Sequence, residues 1–192
     1  EGVMLSSWVS AICLNNKYRS RILTFMILFL ALIESAAIYG LIISFQMFWM
    51  DNLPMYVAIW AGLSIWLAWL WVGLWEWILA GKSIEMIWKT PTMQSFYLTI
   101  TILWVALVES AAIYGLVVSI QLLSQEFNTI FIALAWGISI WLAALGAGIW
   151  EWILVWGVMD SIHRNPANKT KSLAFMILFL ALIEVLAIYG LI

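Results

Sequence analysis

Six glutamates lie within or beside long apolar stretches, and their spacing points to chemistry more directly than that of any other residues. They form two series with a 75-residue period, and each member of the second series follows one of the first by 33 residues: Glu1, Glu76 and Glu151, then Glu34, Glu109 and Glu184. An ionised side chain at the centre of a membrane helix costs about 2.5–3.5 kcal/mol on insertion scales, so acids found there usually line ion paths. Protonated acids that only hydrogen-bond helices together are the alternative. Repetition at fixed spacing favours reversible binding of a proton or a small cation.

Hydroxyl groups accompany the second series of acids. Ser110 directly follows Glu109, and Tyr114 lies five positions on, about 500° around a helix, so it approaches from the next turn. A carboxylate, a hydroxyl and a backbone carbonyl together form an oxygen site suited to a small hard cation.

The other two copies of this set differ by one hydroxyl. The first copy has all three groups, at Glu34, Ser35 and Tyr39. The third keeps Glu184 and Tyr189 but has Val185 where the hydroxyl is expected. We therefore expect the site of Glu184 to lack one oxygen ligand, which leaves proton binding intact and disfavours sodium.

The composition predicts a membrane protein. The chain is 66% hydrophobic and 9% charged, with a mean hydropathy of +1.07, against about 45–50% apolar and about 25% charged residues in soluble domains. Five apolar runs are long enough to cross about 30 Å of hydrocarbon as helices at ~1.5 Å per residue. The runs are Ile22–Met50, Met55–Leu79, Phe96–Leu123, Ile130–Val158 and Leu173–Ile192. The segment Glu1–Leu14 is interpreted as the end of a sixth helix, which predicts an all-α membrane protein.

Internal repeats define the predicted organisation. The segment FMILFLALIE at 25–34 recurs unchanged at 175–184, and ESAAIYGL at 34–41 recurs at 109–116. The chain is therefore predicted to be three tandem transmembrane hairpins, each an inner helix, a basic loop and an outer helix. The predicted repeats are residues 1–50, 51–125 and 126–192. Because the first inner helix and the third outer helix are truncated, we expect a fragment at both ends.

The charges predict the orientation of the hairpins. All eight basic residues lie in alternate connections: Lys17, Arg19 and Arg21; Lys82 and Lys89; Arg164, Lys169 and Lys171. The other two connections carry only acids, Asp51 and Glu126. The positive-inside bias places the basic loops on the cytoplasmic side of the membrane, which we expect to be a bacterial-type plasma membrane. The sequence has no nucleotide-binding loop, metal-spaced Cys/His set or nucleophile with a base, so we expect no catalysis by the chain itself.

These features resemble the c subunit, or proteolipid, of rotary F-type and V-type ATP synthases, here as three fused hairpins. The resemblance lies in the 33-residue spacing of the acids, in loops ending Lys89-Thr90-Pro91 and Arg164-Asn165-Pro166, and in the outer-helix segment Ala106–Ser110 that leads to Ile113-Tyr114-Gly115. It implies a rotor ring of such chains that carries H⁺ or Na⁺. The implied partners are a stator a-type subunit, central stalk subunits and lipid, with no cofactor and no nucleic acid.

The resemblance also implies roles for individual residues. The ion carriers would be the outer-helix acids Glu34, Glu109 and Glu184. In sodium-binding members the acid, the following Ser, a carbonyl two residues before the acid and an inner-helix polar group of a neighbouring hairpin hold the ion. Carried over, these are Glu109, Ser110, the carbonyl of Leu107, and Glu76 or Glu151, with Glu34 and Ser35 as the matching pair in the first copy. Tyr114 would orient the acid. One carboxylate of each pair must stay protonated when sodium binds.

Two other functions remain open from the sequence. A small ion channel or secondary transporter built from hairpin repeats also has midplane acids, but such proteins usually break their helices near the site. The three prolines, Pro54, Pro91 and Pro166, all lie in predicted connections, so the helices should be continuous. A purely structural bundle would predict that Glu109→Gln leaves ion-coupled activity unchanged.

The fifteen tryptophans are anomalous. In the family the inner helix has Gly at alternate positions, where small residues let helices pack closely, yet this chain has Trp at most of them: Trp69, Trp71, Trp75 and Trp77. The repeats also exchange the two residues, since Trp71 aligns with Gly146 and Trp156 with Gly81. We hypothesise that many are UGA codons read as Gly in the source organism. UGG codons in the gene would refute this, and genuine Trp would obstruct a tight inner ring.

Overall fold

The computed structural model describes residues 2–14, 16–125 and 130–192. These residues form six α-helices and no strand, as the sequence predicts. The helices are α1 (Gly2–Leu14), α2 (Arg19–Phe48), α3 (Met55–Lys89), α4 (Gln94–Ser124), α5 (Ile130–Arg164) and α6 (Lys169–Leu191). Among the described residues, α2 to α6 are long and apolar enough to cross a membrane, and α1 is a shorter apolar helix.

The inner helices are longer than the apolar runs that predicted them. The runs end at Leu79 and Val158, but α3 continues to Lys89 and α5 to Arg164. The added turns of α3 remain helical because one side of them is buried against neighbouring helices, including Ser83 and Ile87. The sequence prediction placed these turns in loops because it used the average apolarity of each run and not the helical spacing of its buried residues.

Proline ends these helices. Thr90 has φ −132° and ψ 71° and is followed by the short 3₁₀ turn Pro91–Met93, and Asn165 precedes the turn Pro166–Asn168 with nearly the same angles. The residue before a proline is excluded from the α region by its contact with the ring. Each hairpin therefore turns within about one 3₁₀ turn of the end of its inner helix.

The helices form two layers. The inner layer is α1, α3 and α5 side by side, and the outer layer is α2, α4 and α6. Within a hairpin α3 packs on α4 and α5 on α6, but α2 also contacts α3, and α4 also contacts α5. Each of these outer helices therefore lies in the groove between its own inner helix and the next one. This placement lets groups from two hairpins meet at one site.

Glycine allows the outer helix to approach the inner helix closely. A Cβ atom on Gly115 would lie 2.6 Å from the Cβ of Ala68 and 3.1 Å from the carbonyl oxygen of Ser64. Gly190 meets Ala143 in the same way, one repeat later. Gly40, the equivalent residue of the first copy, has open space at this point. The second and third hairpins therefore each have the same close contact between the outer helix and the inner helix.

Tryptophans of one inner helix pack over glycines of the next. The Cδ1 atom of Trp75 lies 2.9 Å from the position of a Cβ on Gly148, and Trp75 stacks on Trp152 with ring centroids 5.0 Å apart. Trp60 lies over Gly137 at a similar distance. Each of these tryptophans faces a glycine, which has no side chain. The helices α3 and α5 therefore pack side by side even with tryptophan at positions where small residues are expected.

Candidate ion-binding site

The carboxylates of the third hairpin meet within the helix bundle. Glu151 of α5 is fully buried, and Glu184 of α6 is 9% exposed. The two lie within electrostatic range of each other. The hydroxyl of Ser110, from α4 of the preceding hairpin, donates a hydrogen bond to Oε1 of Glu184. Tyr114, about one turn further along α4, lies close enough to interact with both acids. Two hairpins therefore build this site.

The second hairpin repeats the arrangement. Glu76 of α3 is fully buried and lies within electrostatic range of Glu109 of α4. Tyr39, from α2 of the preceding hairpin, lies near both acids. Ser35 is the repeat equivalent of Ser110, and its side chain lies outside the described residues. The pair of acids and the tyrosine thus occur at both contacts between hairpins.

Several buried carboxylate oxygens accept no hydrogen bond from a hydroxyl or N–H group of the described residues, although those of Glu151 and Glu184 lie within hydrogen-bond reach of each other. They are both oxygens of Glu76, both oxygens of Glu151 and Oε2 of Glu184. A buried polar atom without a partner costs about 1–3 kcal/mol, and more if it is charged. These atoms are therefore groups that a bound proton or cation would satisfy. The described residues contain no cluster of three or more His, Cys, Asp or Glu side chains that could hold a metal ion, so the site offers two carboxylates and hydroxyls.

The outer faces of the first and last outer helices present the remaining predicted residues. Glu34 is exposed on α2, and its inner-series counterpart Glu1 lies outside the described residues. Tyr189 is 68% exposed on α6, whereas its equivalents Tyr39 and Tyr114 are partly buried between hairpins. At the two sites described above, the equivalents of these residues contact a neighbouring hairpin.

The structure corrects one expectation about the hydroxyl ligands. The sequence predicted that Ser110 belongs to the site of Glu109 and that Glu184, followed by Val185, lacks a hydroxyl. Ser110 instead donates to Glu184, so the expectation that Glu184 lacks a hydroxyl is wrong. Consecutive residues point about 100° apart around a helix, so an acid and the serine after it face different neighbours.

The structure also pairs the inner acids. The sequence left the inner partner of Glu109 open between Glu76 and Glu151, from a neighbouring hairpin. Glu109 lies near Glu76 and Glu184 near Glu151, in each case within one hairpin. Leu107 lies in the unbroken part of α4, half-buried against the core shared by α3, α4, α5 and α6. The neighbouring hairpin contributes the tyrosine, and at Glu184 the serine as well.

Sequence reasoning missed an ionic cluster near the basic ends of α3 and α5. The ammonium of Lys82 lies 3.2 Å from Oδ1 of Asp160 and 3.6 Å from Oε2 of Glu85, and its side chain is only 9% exposed. The same ammonium lies 4.4 Å from the ring centroid of Trp156. A signal was available, because Asp160 follows Glu85 by one repeat length while Lys82 has no basic counterpart. This cluster fastens the second hairpin to the third.

Comparison with known proteins agrees with the repeat pattern. The family of the ATP synthase C subunit matches residues 1–47, 59–122 and 134–192. The ATP synthase c subunit of Syntrophobacter fumaroxidans is 40% identical over 63 residues, which are 33% of this chain and 70% of the relative. The ATP synthase c subunit of Citrifermentans bemidjiense is 42% identical over 68 residues, 35% of this chain and 74% of the relative. That of Chloroflexus aurantiacus is 35% identical over 68 residues, 35% of this chain and 84% of the relative.

Each relative therefore corresponds to about one third of the chain, while the family matches in three separate stretches. These stretches contain both members of each carboxylate pair described above, Glu76 with Glu109 and Glu151 with Glu184. The chain belongs to the ATP synthase C subunit family, with three copies of the family's unit fused in tandem.

Proposed function

We propose that this chain is an ion-translocating component of the membrane rotor ring of an ATP synthase, in which buried glutamates carry H⁺ or Na⁺. The observation that carries the proposal is the site of Glu184. There, two acids, a serine hydroxyl and a tyrosine from two hairpins converge, and the buried carboxylates of Glu151 and Glu184 lie within hydrogen-bond reach of each other, so that one proton can be shared between them. A site of this composition binds a proton or a monovalent cation and releases it when solvent reaches it.

The expected mechanism follows from the cost of charge in hydrocarbon. Glu109 and Glu184 would be neutral, either protonated or paired with sodium, while their helices face lipid. They would exchange the ion only where a stator a-type subunit opens an aqueous path. When sodium binds, one acid of each pair keeps its proton, because two ionised carboxylates side by side would repel each other.

The driving force sets the scale of this exchange. Moving one charge through 100 mV supplies about 2.3 kcal/mol, so several ions must pass for each ATP made. The chain would contribute rotation rather than catalysis, in a ring with further copies, with the basic loops facing the central stalk in the cytoplasm. The unbroken helices α3 and α4, which carry Glu76 and Glu109, favour a rotor over a transporter with broken helices.

Carbodiimide labelling of membranes that contain the assembled enzyme tests the proposal. Carbodiimides react with protonated carboxyl groups in apolar surroundings, so we expect peptide mass spectrometry to find label on Glu109 and Glu184. ATP hydrolysis coupled to ion uptake should fall in step with the labelling. Asp51→Asn is the control, because Asp51 is exposed in the connection between α2 and α3, and this variant should label and lose activity as the parent does. Unlabelled glutamates, or full coupling after complete labelling, would contradict the proposal.

A further inference from the structure

A polar cleft between α1 and α3 lies at the basic ends of these helices. Its volume is about 290 Å³, and it is lined by Ser6, Ser7, Ser10, Glu85, Trp88 and Lys89. Glu85 and Lys89 pair with each other along one turn of α3, and their side chains are 35% and 39% exposed. The cleft therefore brings a carboxylate, an ammonium group and serine hydroxyls together in one small space that a ligand can reach.

The cleft lies at the depth of lipid headgroups. The apolar run of α3 ends at Leu79, and Lys82 and Glu85 follow it by about 4–9 Å along the helix axis. The headgroup region of a bilayer extends roughly 5–8 Å beyond each side of the hydrocarbon core. Trp88 also suits this depth, because tryptophan is enriched where the membrane meets water.

One repeat later, an ammonium group fills the equivalent space between α3 and α5. Lys82 takes the position of Ser7, and its ammonium lies 3.2 Å from Oδ1 of Asp160, which takes the position of Glu85. The same ammonium lies 4.4 Å from the ring centroid of Trp156, and only 9% of the Lys82 side chain is exposed. A primary amine is therefore a group that fits this place in the repeat, and at the first contact a serine stands there instead.

We propose that the cleft binds the headgroup of phosphatidylethanolamine, a lipid with a primary ammonium and a phosphate. The ammonium would pair with Glu85 as Lys82 pairs with Asp160 one repeat later. The phosphate would bind Lys89 and the serine hydroxyls through charge-assisted hydrogen bonds. Lys89 then exchanges its carboxylate partner for the phosphate, so every charge keeps an opposite charge beside it. This lipid site goes beyond the proposed ion carriage and does not depend on it.

The charges around the cleft favour this headgroup over others. Two cations, Lys82 and Lys89, and two acids, Glu85 and Asp160, balance one another, which suits a ligand without net charge. The ammonium of phosphatidylcholine is fully methylated and cannot donate a hydrogen bond to Glu85. Phosphatidylglycerol has no cation, so its phosphate would face Glu85 uncompensated. Loss of a hydrogen bond to a charged group should weaken binding about tenfold or more.

Native mass spectrometry of the purified protein in detergent, with bound lipids counted per chain, tests this proposal. The probes are phosphatidylethanolamine, phosphatidylcholine and phosphatidylglycerol with the same acyl chains. We expect the ethanolamine lipid to bind at about tenfold lower concentration than the other two. Glu85→Gln should remove this preference because it removes the carboxylate. Ser7→Lys should also remove it, since the new ammonium would occupy the cleft as Lys82 occupies its equivalent.

Ser20→Lys is the matched control for the added charge. Ser20 is exposed at the basic end of α2, outside the cleft, so this variant should bind the three lipids as the parent does. Equal binding of the three lipids by the parent would overturn the proposal, and so would tighter binding of phosphatidylglycerol. Displacement of the lipid by an equal concentration of free phosphoethanolamine would also contradict it, because the cleft would then be a site for a soluble ligand.

Lys82→Ser provides the converse test. It vacates the equivalent space beside Asp160, where Arg164 stands in place of Lys89. A second ethanolamine lipid should therefore bind to each chain, and adding Asp160→Asn should abolish the second lipid while leaving the first. A single bound lipid in Lys82→Ser would refute the inference that this place in the repeat accepts the ammonium of a ligand.

Discussion

Two contacts join neighbouring hairpins: one between the first and second hairpins and one between the second and third. Both have paired acids, but they differ near the basic ends of the inner helices. At the contact between the second and third hairpins, the ammonium of Lys82 lies 3.2 Å from Oδ1 of Asp160. One repeat earlier Ser7 takes the place of Lys82 and Glu85 that of Asp160. There, Ser7 and Glu85 line a cleft of about 290 Å³ between α1 and α3.

This difference distinguishes two sets of residues in the repeat: the acids and tyrosine of the candidate site, and the residues that join neighbouring hairpins at the helix ends. The acids and the tyrosine recur at both contacts because each copy places them at one depth on equivalent helices. The residues at the helix ends differ between the two contacts, since Lys82 and Asp160 stand at one and Ser7 and Glu85 at the other. A loop hydrogen bond adds to this variation, since Thr90 Oγ1 lies 2.9 Å from Nδ1 of His163, and His163 replaces Trp88 and Cys13 of the other copies. The paired acids and the tyrosine are thus the constant part of the repeat, and the contacts at the helix ends are its variable part.

Glu109→Gln and Glu184→Gln test the equivalence of the two sites, and they should have the largest effects. Each substitution removes the only carboxyl group on its outer helix, so ion uptake driven by ATP should fall to background in both. Proteoliposomes containing the assembled enzyme provide the measurement. Equal losses would support equivalent sites. Retained uptake in one variant alone would show that the two hairpins serve different purposes.

Lys82→Met should weaken only the contact between the second and third hairpins. The substitution leaves Asp160 without its cation at a position that is 29% exposed, and partial solvation limits the loss to about 1–2 kcal/mol. Unfolding of the chain in detergent by denaturant provides the measurement. Adding Asp160→Asn should recover part of the loss, since the uncompensated charge is then gone.

Lys89→Met is the matched control for this prediction. Lys89 also pairs with Glu85, but its side chain is 39% exposed, and exposed pairs contribute about 0–1 kcal/mol. A loss as large in Lys89→Met as in Lys82→Met would show that the general charge of the loop, rather than the buried contact with Asp160, stabilises the helix ends.

The helices and the acids could be predicted from the sequence because both depend on local properties. A run of about twenty or more apolar residues is long enough to span a membrane as a helix, and a repeat of fixed length places its acids at equivalent positions of the helices. The ends of α3 and α5 were predicted too early, because Lys82 and Asp160 resemble solvated charges until the neighbouring helix is known.

The partners within the site could not be predicted, because they depend on how adjacent helices are rotated relative to one another. Ser110 stands beside Glu109 in the chain, yet it donates to Glu184, 74 residues away. One step along a helix turns a side chain by about 100°, so adjacency in sequence says little about shared contacts. The inner partner was open between Glu76 and Glu151 for the same reason, and the resemblance to a family did not resolve it.

Ser7→Lys would transfer the fastening residue to the first contact, and it should have the smallest effect. Gly81 lies opposite Ser7, with 3.0 Å between the position of a Cβ and the serine hydroxyl, so the new side chain must extend along the cleft toward Glu85. Glu85 already pairs with Lys82 and Lys89, and a third cation should add only about 0–0.5 kcal/mol. In the Lys82→Met background the gain should rise to about 0.5–1 kcal/mol, because Glu85 then has one cation fewer. Full recovery of stability in that double variant would mean that Glu85, rather than Asp160, is the partner through which Lys82 stabilises the chain.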